Sequence, residues 1–168
     1  LEAEIGKQLV DMLMKVNLLD GSERWILIHV EVQGQRESGF AERLYSYNSR
    51  IWLRHGREVV SLAVLTDPSE GFRPGIYERR RWGFVLILRF PIVKIMDYED
   101  RREDLERSGN PFSLVVLTHL DARRAKDDGE RFDVKFNLVR RLYRKGYGRE
   151  DVVALLRFID WLVRIPKD

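Results

Sequence analysis

The stretch VDMLMKVNLLDGSERWILIHVEVQ, residues 10–33, reads as two β-strands folded back on one another. Leu-Asp-Gly-Ser at 19–22 supplies hairpin-turn chemistry, because aspartate and glycine accept the backbone angles of a tight reversal. The strands are expected at Val10–Leu18 and Arg24–Gln33, with Asp20 given to the turn. Side chains alternate along a strand. Ile26, Ile28, Val30 and Val32 therefore share one face, and Trp25, Leu27, His29, Glu31 and Gln33 the other.

A turn centred near Gly21 sets Asp11 directly opposite Glu31. Like charges so placed repel, which makes a bound divalent cation the physical reason for keeping both. Gln33 lies on the same face, and the backbone carbonyl of Val32 adds an oxygen donor. Oxygen donors of this kind suit Mg²⁺, with Mn²⁺ as a substitute. A cation held there activates water and holds a phosphate in line, so phosphodiester hydrolysis is the expected chemistry. Asp11, Glu31 and Gln33 are the expected catalytic residues; Asp11, Glu31 and the Val32 carbonyl are the expected metal set. His29, inside an apolar strand, reads as a core group.

Outward from the hairpin, Phe40, Leu44, Tyr47 and Ile51 recur with helical spacing over Gly39–Arg54, and Gly56 is placed to stop that helix. Val59–Thr66 reads as a buried strand, Gly71–Gly75 as a loop, and the segments around Ile76–Arg80 and Phe84–Phe90, turning near Trp82-Gly83, as the far half of the sheet. Asn110-Pro111 is an N-cap followed by proline in the first turn, so Pro111–Lys126 is expected to be helical. Two amphipathic helices follow, Arg131–Lys145 and Arg149–Arg164, stopped by Pro166. Strands first and helices after, without repeats, predict an α/β fold in one domain spanning 1–168, with 111–165 as its helical C-terminal part packed on the sheet.

The 168 residues suffice for one core. They include no cysteine, no recognisable signal sequence and no apolar run near the ~18–20 residues of a membrane span. A cytoplasmic protein with no membrane partner is expected, and a start at Leu1 is expected to mean that a native N-terminus is missing. Twenty-three of the 30 basic residues are arginine, whose planar fork suits phosphate, although the net charge is only +3. The run Arg79–Arg81 reads as a solvated turn or a DNA grip.

The segments HVEVQGQ at 29–35, VDMLMKV at 10–16 and FAERLYSYNSR at 40–50 together resemble the bacterial recombination-promoting nuclease and transposase-like family of the PD-(D/E)XK nuclease superfamily. The resemblance runs on through VVSLAVLTD at 59–67, NPF at 110–112, LYRKGY at 142–147 and FIDWLVRIP at 158–166. It implies a restriction-endonuclease-like core, a central mixed sheet flanked by helices with a C-terminal helical extension. The activity it implies is Mg²⁺-dependent endonuclease cleavage of DNA in recombination.

Asp11 falls on the superfamily's aspartate, Glu31 on its second acid, and Gln33 where lysine is usual. Glutamine carries no charge, so the resemblance leaves a cation to be found, and Lys15 is a possible substitute ~13 Å along the hairpin. Arg43-Leu44-Tyr45-Ser46-Tyr47 is similar to a glutamine-leucine-x-x-tyrosine pattern of a related branch, which makes Arg43 and Tyr47 accessory candidates; Arg43, Arg50 and Arg54 are expected to hold DNA phosphates. Glu4 matches a first-helix acid of some members, and a missing loop is expected near residues 5–7. Cutting both strands implies a homodimer. The alternatives are a nuclease fold kept as an inactive DNA-binding or interaction module, and action on RNA.

Overall fold

The computed structural model describes residues 11–17 and 23–162. Residues 1–8, which read in sequence as the end of a helix leading into the first strand, lie outside the described residues, as do Glu4, the loop near 5–7, the turn containing Asp20 and the stop at Pro166. Among the described residues the fold is α/β, with a mixed sheet and five α-helices. The chain divides into two compact units, Leu1–Lys94 and Ile95–Asp168.

In the first unit, β1 (Asp11–Asn17) pairs antiparallel with β2 (Glu23–Gln33). A crossover helix, α1 (Phe40–His55), returns the chain to β3 (Val59–Leu65), parallel to β2 as such a connection requires. Gly56 ends α1 in the left-handed conformation at φ 59°, as expected, its N–H donating to Trp52 O at 2.8 Å.

β4 (Ile76–Arg81) and β5 (Phe84–Arg89) form a hairpin, but not the far half of the sheet. They make a separate two-stranded sheet, and β6 (Ile92–Lys94) takes the fourth place in the order β1-β2-β3-β6. Three residues are too few to print a period-two pattern in sequence. The β4–β5 turn is Trp82-Gly83 with both φ positive, 49° and 83°. This is the handedness two-residue hairpins favour, although a non-glycine residue there costs ~1–2 kcal/mol.

The core of this unit lies between α1 and the sheet. Phe40 and Leu44 of α1 meet Ala63, Leu65, Phe72 and Phe90. Above them sits a buried ion pair: Lys94 Nζ donates to Asp67 Oδ2 at 2.7 Å and to the carbonyls of Ser69 at 2.8 Å and Phe72 at 3.5 Å. Asp67 Oδ1 in turn accepts from Ser69 N at 2.9 Å. Every ammonium proton and both carboxylate oxygens are thus engaged, the condition under which a buried pair is tolerated. The pair fastens β6 to the loop leaving β3.

The second unit opens with a 3₁₀ helix (Ile95–Arg101) and α2 (Arg102–Arg107), both unforeseen because their run of alternating charge carries little apolar periodicity. The helical part therefore starts at Ile95 rather than at 111. The Asn110 side chain caps α3 (Pro111–Arg124) by accepting from Phe112 N at 2.9 Å. Burial on most sides of α3, at Leu114, Val115, Leu117, Leu120 and Ala122, explains its β-branched residues. α4 (Asp128–Arg144) starts three residues earlier than its apolar stripe suggests, because Asp127 Oδ1 accepts from Glu130 N at 2.8 Å. α5 (Arg149–Leu162) completes the unit, and α2, α4 and α5 all pack on α3.

Removing one partner of the Lys94–Asp67 pair leaves a buried charge unpaired, so Lys94→Ala is expected to cost about 3–5 kcal/mol in chemical denaturation; a cost below ~1 kcal/mol would contradict this role. Glu99 is held below its usual pKa by its hydrogen bond to Arg102, against the opposing effect of burial, and further by Arg102 and Arg124 charge. A depressed carboxylate stabilises the fold above its unfolded pKa and loses that contribution as pH falls through the folded value. Thermal denaturation from neutral to strongly acidic pH is thus expected to show a smaller acid loss in Glu99→Gln than in the wild type.

Candidate metal centre

The polar end of β2 is its buried side. Leu27, His29, Glu31 and Gln33 are buried, while Ile26, Ile28, Val30 and Val32 on the opposite face are half-buried. α1 covers the polar face with three side chains. From one flank Arg43 NH2 comes within 3.1 Å of Glu31 Oε1 and donates to Gln33 Oε1 at 2.7 Å, while NH1 pairs with Glu37. Tyr47 meets the His29 ring edge-on at 5.8 Å. Asn48 Nδ2 donates to Ser61 Oγ at 3.0 Å and to Val59 O at 3.3 Å.

His29 Nδ1 shares a hydrogen bond with Ser61 Oγ, 3.0 Å away, and Ser61 Oγ also accepts from Asn48. On the other side of the ring Nε2 faces Glu31 Oε2 at 3.5 Å, too long for a hydrogen bond. His29 is thus a buried orienting group beside the acid.

Glu31 is 4% exposed, yet its Oε1, though ion-paired with Arg43, has no aligned hydrogen-bond donor, and His29 Nε2 likewise has no hydrogen-bond partner. A buried carboxylate with unspent acceptor capacity marks a place where another group fits. Leu27 N bonds to Glu58 O and Gln33 O accepts from Thr66 N, both toward β3. By alternation the Val32 carbonyl points to the other edge, toward β1.

The register of β1 differs from the expected one. Asp11 pairs with His29, not Glu31, because Asn17 pairs with Glu23 and the hairpin is centred on residue 20 rather than 21. Moving the centre by one residue moves the register by two, which preserves the face while replacing direct opposition by a diagonal position. Asp11 therefore holds a register position two residues short of Glu31, and Lys15 one opposite Trp25. Among the described residues no group of three acidic, histidine or cysteine side chains is arranged to hold a metal. Small hard cations can be held by few protein oxygens, keeping most of their waters.

Gln33 has both ends of its amide engaged, its Nε2 donating to Gln35 O at 2.7 Å and to Glu37 Oε2 at 3.2 Å. Of the arginines expected to meet phosphate, Arg50 and Arg54 are exposed on α1, whereas Arg43 is turned onto carboxylates. Sequence reasoning missed Ser61, Asn48 and Glu37. The first two carry no motif, and only the crossover geometry brings them beside His29.

A scan of family models, a search of curated proteins and a search of solved structures each return no match to this chain. No helix among the described residues is long and apolar enough to cross a membrane.

Ser61→Ala leaves His29 Nδ1 without a partner in a buried site, an expected cost of about 1–3 kcal/mol in urea denaturation. Unchanged stability would contradict a structural role for the Ser61–His29 hydrogen bond.

Proposed function

We propose that the chain is a metal-dependent DNA endonuclease with a restriction-endonuclease-like core, of the recombination-promoting, transposase-like kind that its sequence resembles. The observation that carries the reading is Glu31, a buried carboxylate whose Oε1 is ion-paired with Arg43 but accepts no hydrogen bond, two register positions from Asp11 on the neighbouring strand. Asp11, Glu31 and the Val32 carbonyl would hold the Mg²⁺ or Mn²⁺ ion. When bound, the ion supplies a water of lowered pKa and positive charge at the scissile phosphate.

The rest of the chemistry belongs to the protein. His29 lies on the Oε2 side of Glu31 and orients the carboxylate. Gln33 does not replace the usual lysine as a charge; it accepts from Arg43 and steadies it. Arg43, 3.1 Å from Glu31, is the cation in lysine's place, and its planar fork can pass from carboxylate to phosphate oxygen as negative charge develops there. Lys15 is not needed for this role. Tyr47 supports His29, and Arg50 and Arg54, exposed along the same helix, meet the DNA backbone. Cleavage of both strands would take a homodimer.

One observation favours the second reading, an inactive DNA-binding module with the fold retained. Arg43 already compensates Glu31, so the acid is stable with no cation present.

Nicking of supercoiled plasmid separates the two readings. The wild type is expected to nick with Mg²⁺ and not with EDTA, and Asp11→Ala and Glu31→Ala to lose the activity while remaining folded. Arg43→Ala is expected to lower the cleavage rate by ~10²-fold or more, with partial recovery in Arg43→Lys. Full activity in Glu31→Ala would overturn the metal assignment; a folded wild type that never nicks supports the inactive module.

A further inference from the structure

The β4–β5 hairpin has charge, shape and exposure that the cleavage site does not use. Residues 76–89 contain four arginines, Arg79, Arg80, Arg81 and Arg89, against the single acid Glu78, a net +3. The whole chain also carries +3, so everything outside this ribbon sums to zero.

The pairing Arg79↔Leu86 and Arg81↔Phe84 puts Arg79, Arg81 and Phe84 on one face. On the other face Glu78 and Arg80 pair with each other. The single acid is thus spent on the face that Arg80 shares with Arg89, a net +1, while the Arg79 and Arg81 face carries +2 without a carboxylate of its own. On the basic side Arg79 lies over the Phe84 ring at 5.5 Å, and Arg81 over the Trp82 ring at 5.4 Å. Trp82 is 96% exposed at the tip, in the left-handed conformation that bulky residues avoid. Its indole gains nothing from the protein core, so its value lies in what it touches outside.

The root of the ribbon is fixed. Tyr77 stacks on Tyr45 of α1 at 4.9 Å, and Phe90 N donates to Gly75 O at 3.1 Å where the strands begin. α1 also carries Arg43, so the ribbon and the Glu31 site share one helix.

We propose that this hairpin is a DNA-binding ribbon: its Arg79, Arg81, Phe84 face and Trp82 tip enter a groove of duplex DNA, the arginines on flanking phosphates and the indole against the bases. A two-stranded antiparallel ribbon has the width of the major groove, and aromatic wedges at base steps are a recurrent means of gripping a duplex. Charge decides against a second copy of this chain as the occupant, since two ribbons meeting edge to edge would bring like charge together. The choice of DNA rests on the nuclease reading; the ribbon as the basic docking element rests on its own geometry.

The test is fluorescence anisotropy of a labelled duplex with the 168-residue chain in EDTA, where cleavage plays no part. The Arg79→Gln, Arg81→Gln double variant is expected to bind ~10-fold or more weakly. Its slope of log affinity against log salt should be shallower by about 2, since each phosphate no longer neutralised removes close to one released counterion. Trp82→Ala is expected to weaken binding several-fold without changing the slope, and Trp82→Phe to restore it. These positions are exposed, and circular dichroism verifies that each variant is folded. Wild-type affinity and slope in the double variant would overturn the proposal. So would absence of duplex binding by the wild type, or ribbon-dependent binding to phosphatidylserine vesicles in place of DNA. Ribbon-dependent binding by a chain that never cleaves would sustain the ribbon and sink only the nuclease reading.

Discussion

A carboxylate removed from water must be compensated, and much of the first unit is organised around doing so for Glu31. It lies on the sheet face that α1 covers, where an isolated charge would be too costly to keep. Arg43 approaches one oxygen and His29 the other. Because Arg43, Tyr47 and Asn48 all come from α1, the helix is keyed to the sheet by polar contacts as well as by Phe40 and Leu44. The apolar contacts supply stability; the polar ones fix how the helix lies over β2 and β3.

The Lys94–Asp67 and Arg43–Glu31 pairs differ in a way that separates structure from chemistry. Between Lys94 and Asp67, every ammonium proton and both carboxylate oxygens have partners. That pair has no capacity left for a ligand. Around Glu31 the pairing is incomplete: Glu31 Oε1, His29 Nε2 and Arg43 Nε all lack a hydrogen-bond partner. Unspent capacity in a buried cluster is destabilising in itself, and a cluster that keeps it is suited to receiving a group from outside.

The hairpin, the crossover helix and the C-terminal helices are legible in sequence because each prints a period, two for strands and 3.6 for helices. β6 is not, since three residues cannot show a period and its place in the sheet depends on Lys94 finding Asp67. The β4–β5 segments read as strands, but nothing local reveals which sheet a strand joins. Glu31 and Gln33 are visible from alternation alone. The Asp11 register is off by two residues because turn chemistry at Asp20-Gly21 does not by itself fix the length of the loop. Arg43 is visible as an arginine on the right helix, although its engagement with Glu31 depends on the docking of that helix. Ser61 and Asn48 carry no pattern that sequence reasoning could use.

The proposed cation site at Glu31 and Asp11 is tested most directly by the paramagnetic resonance signal of free Mn²⁺ titrated with the protein in the absence of DNA. The wild type is expected to deplete the free signal, Mg²⁺ to restore it by competition, and Glu31→Ala and Asp11→Asn each to abolish the depletion while remaining folded. Equal Mn²⁺ binding by the wild type and both variants would contradict it.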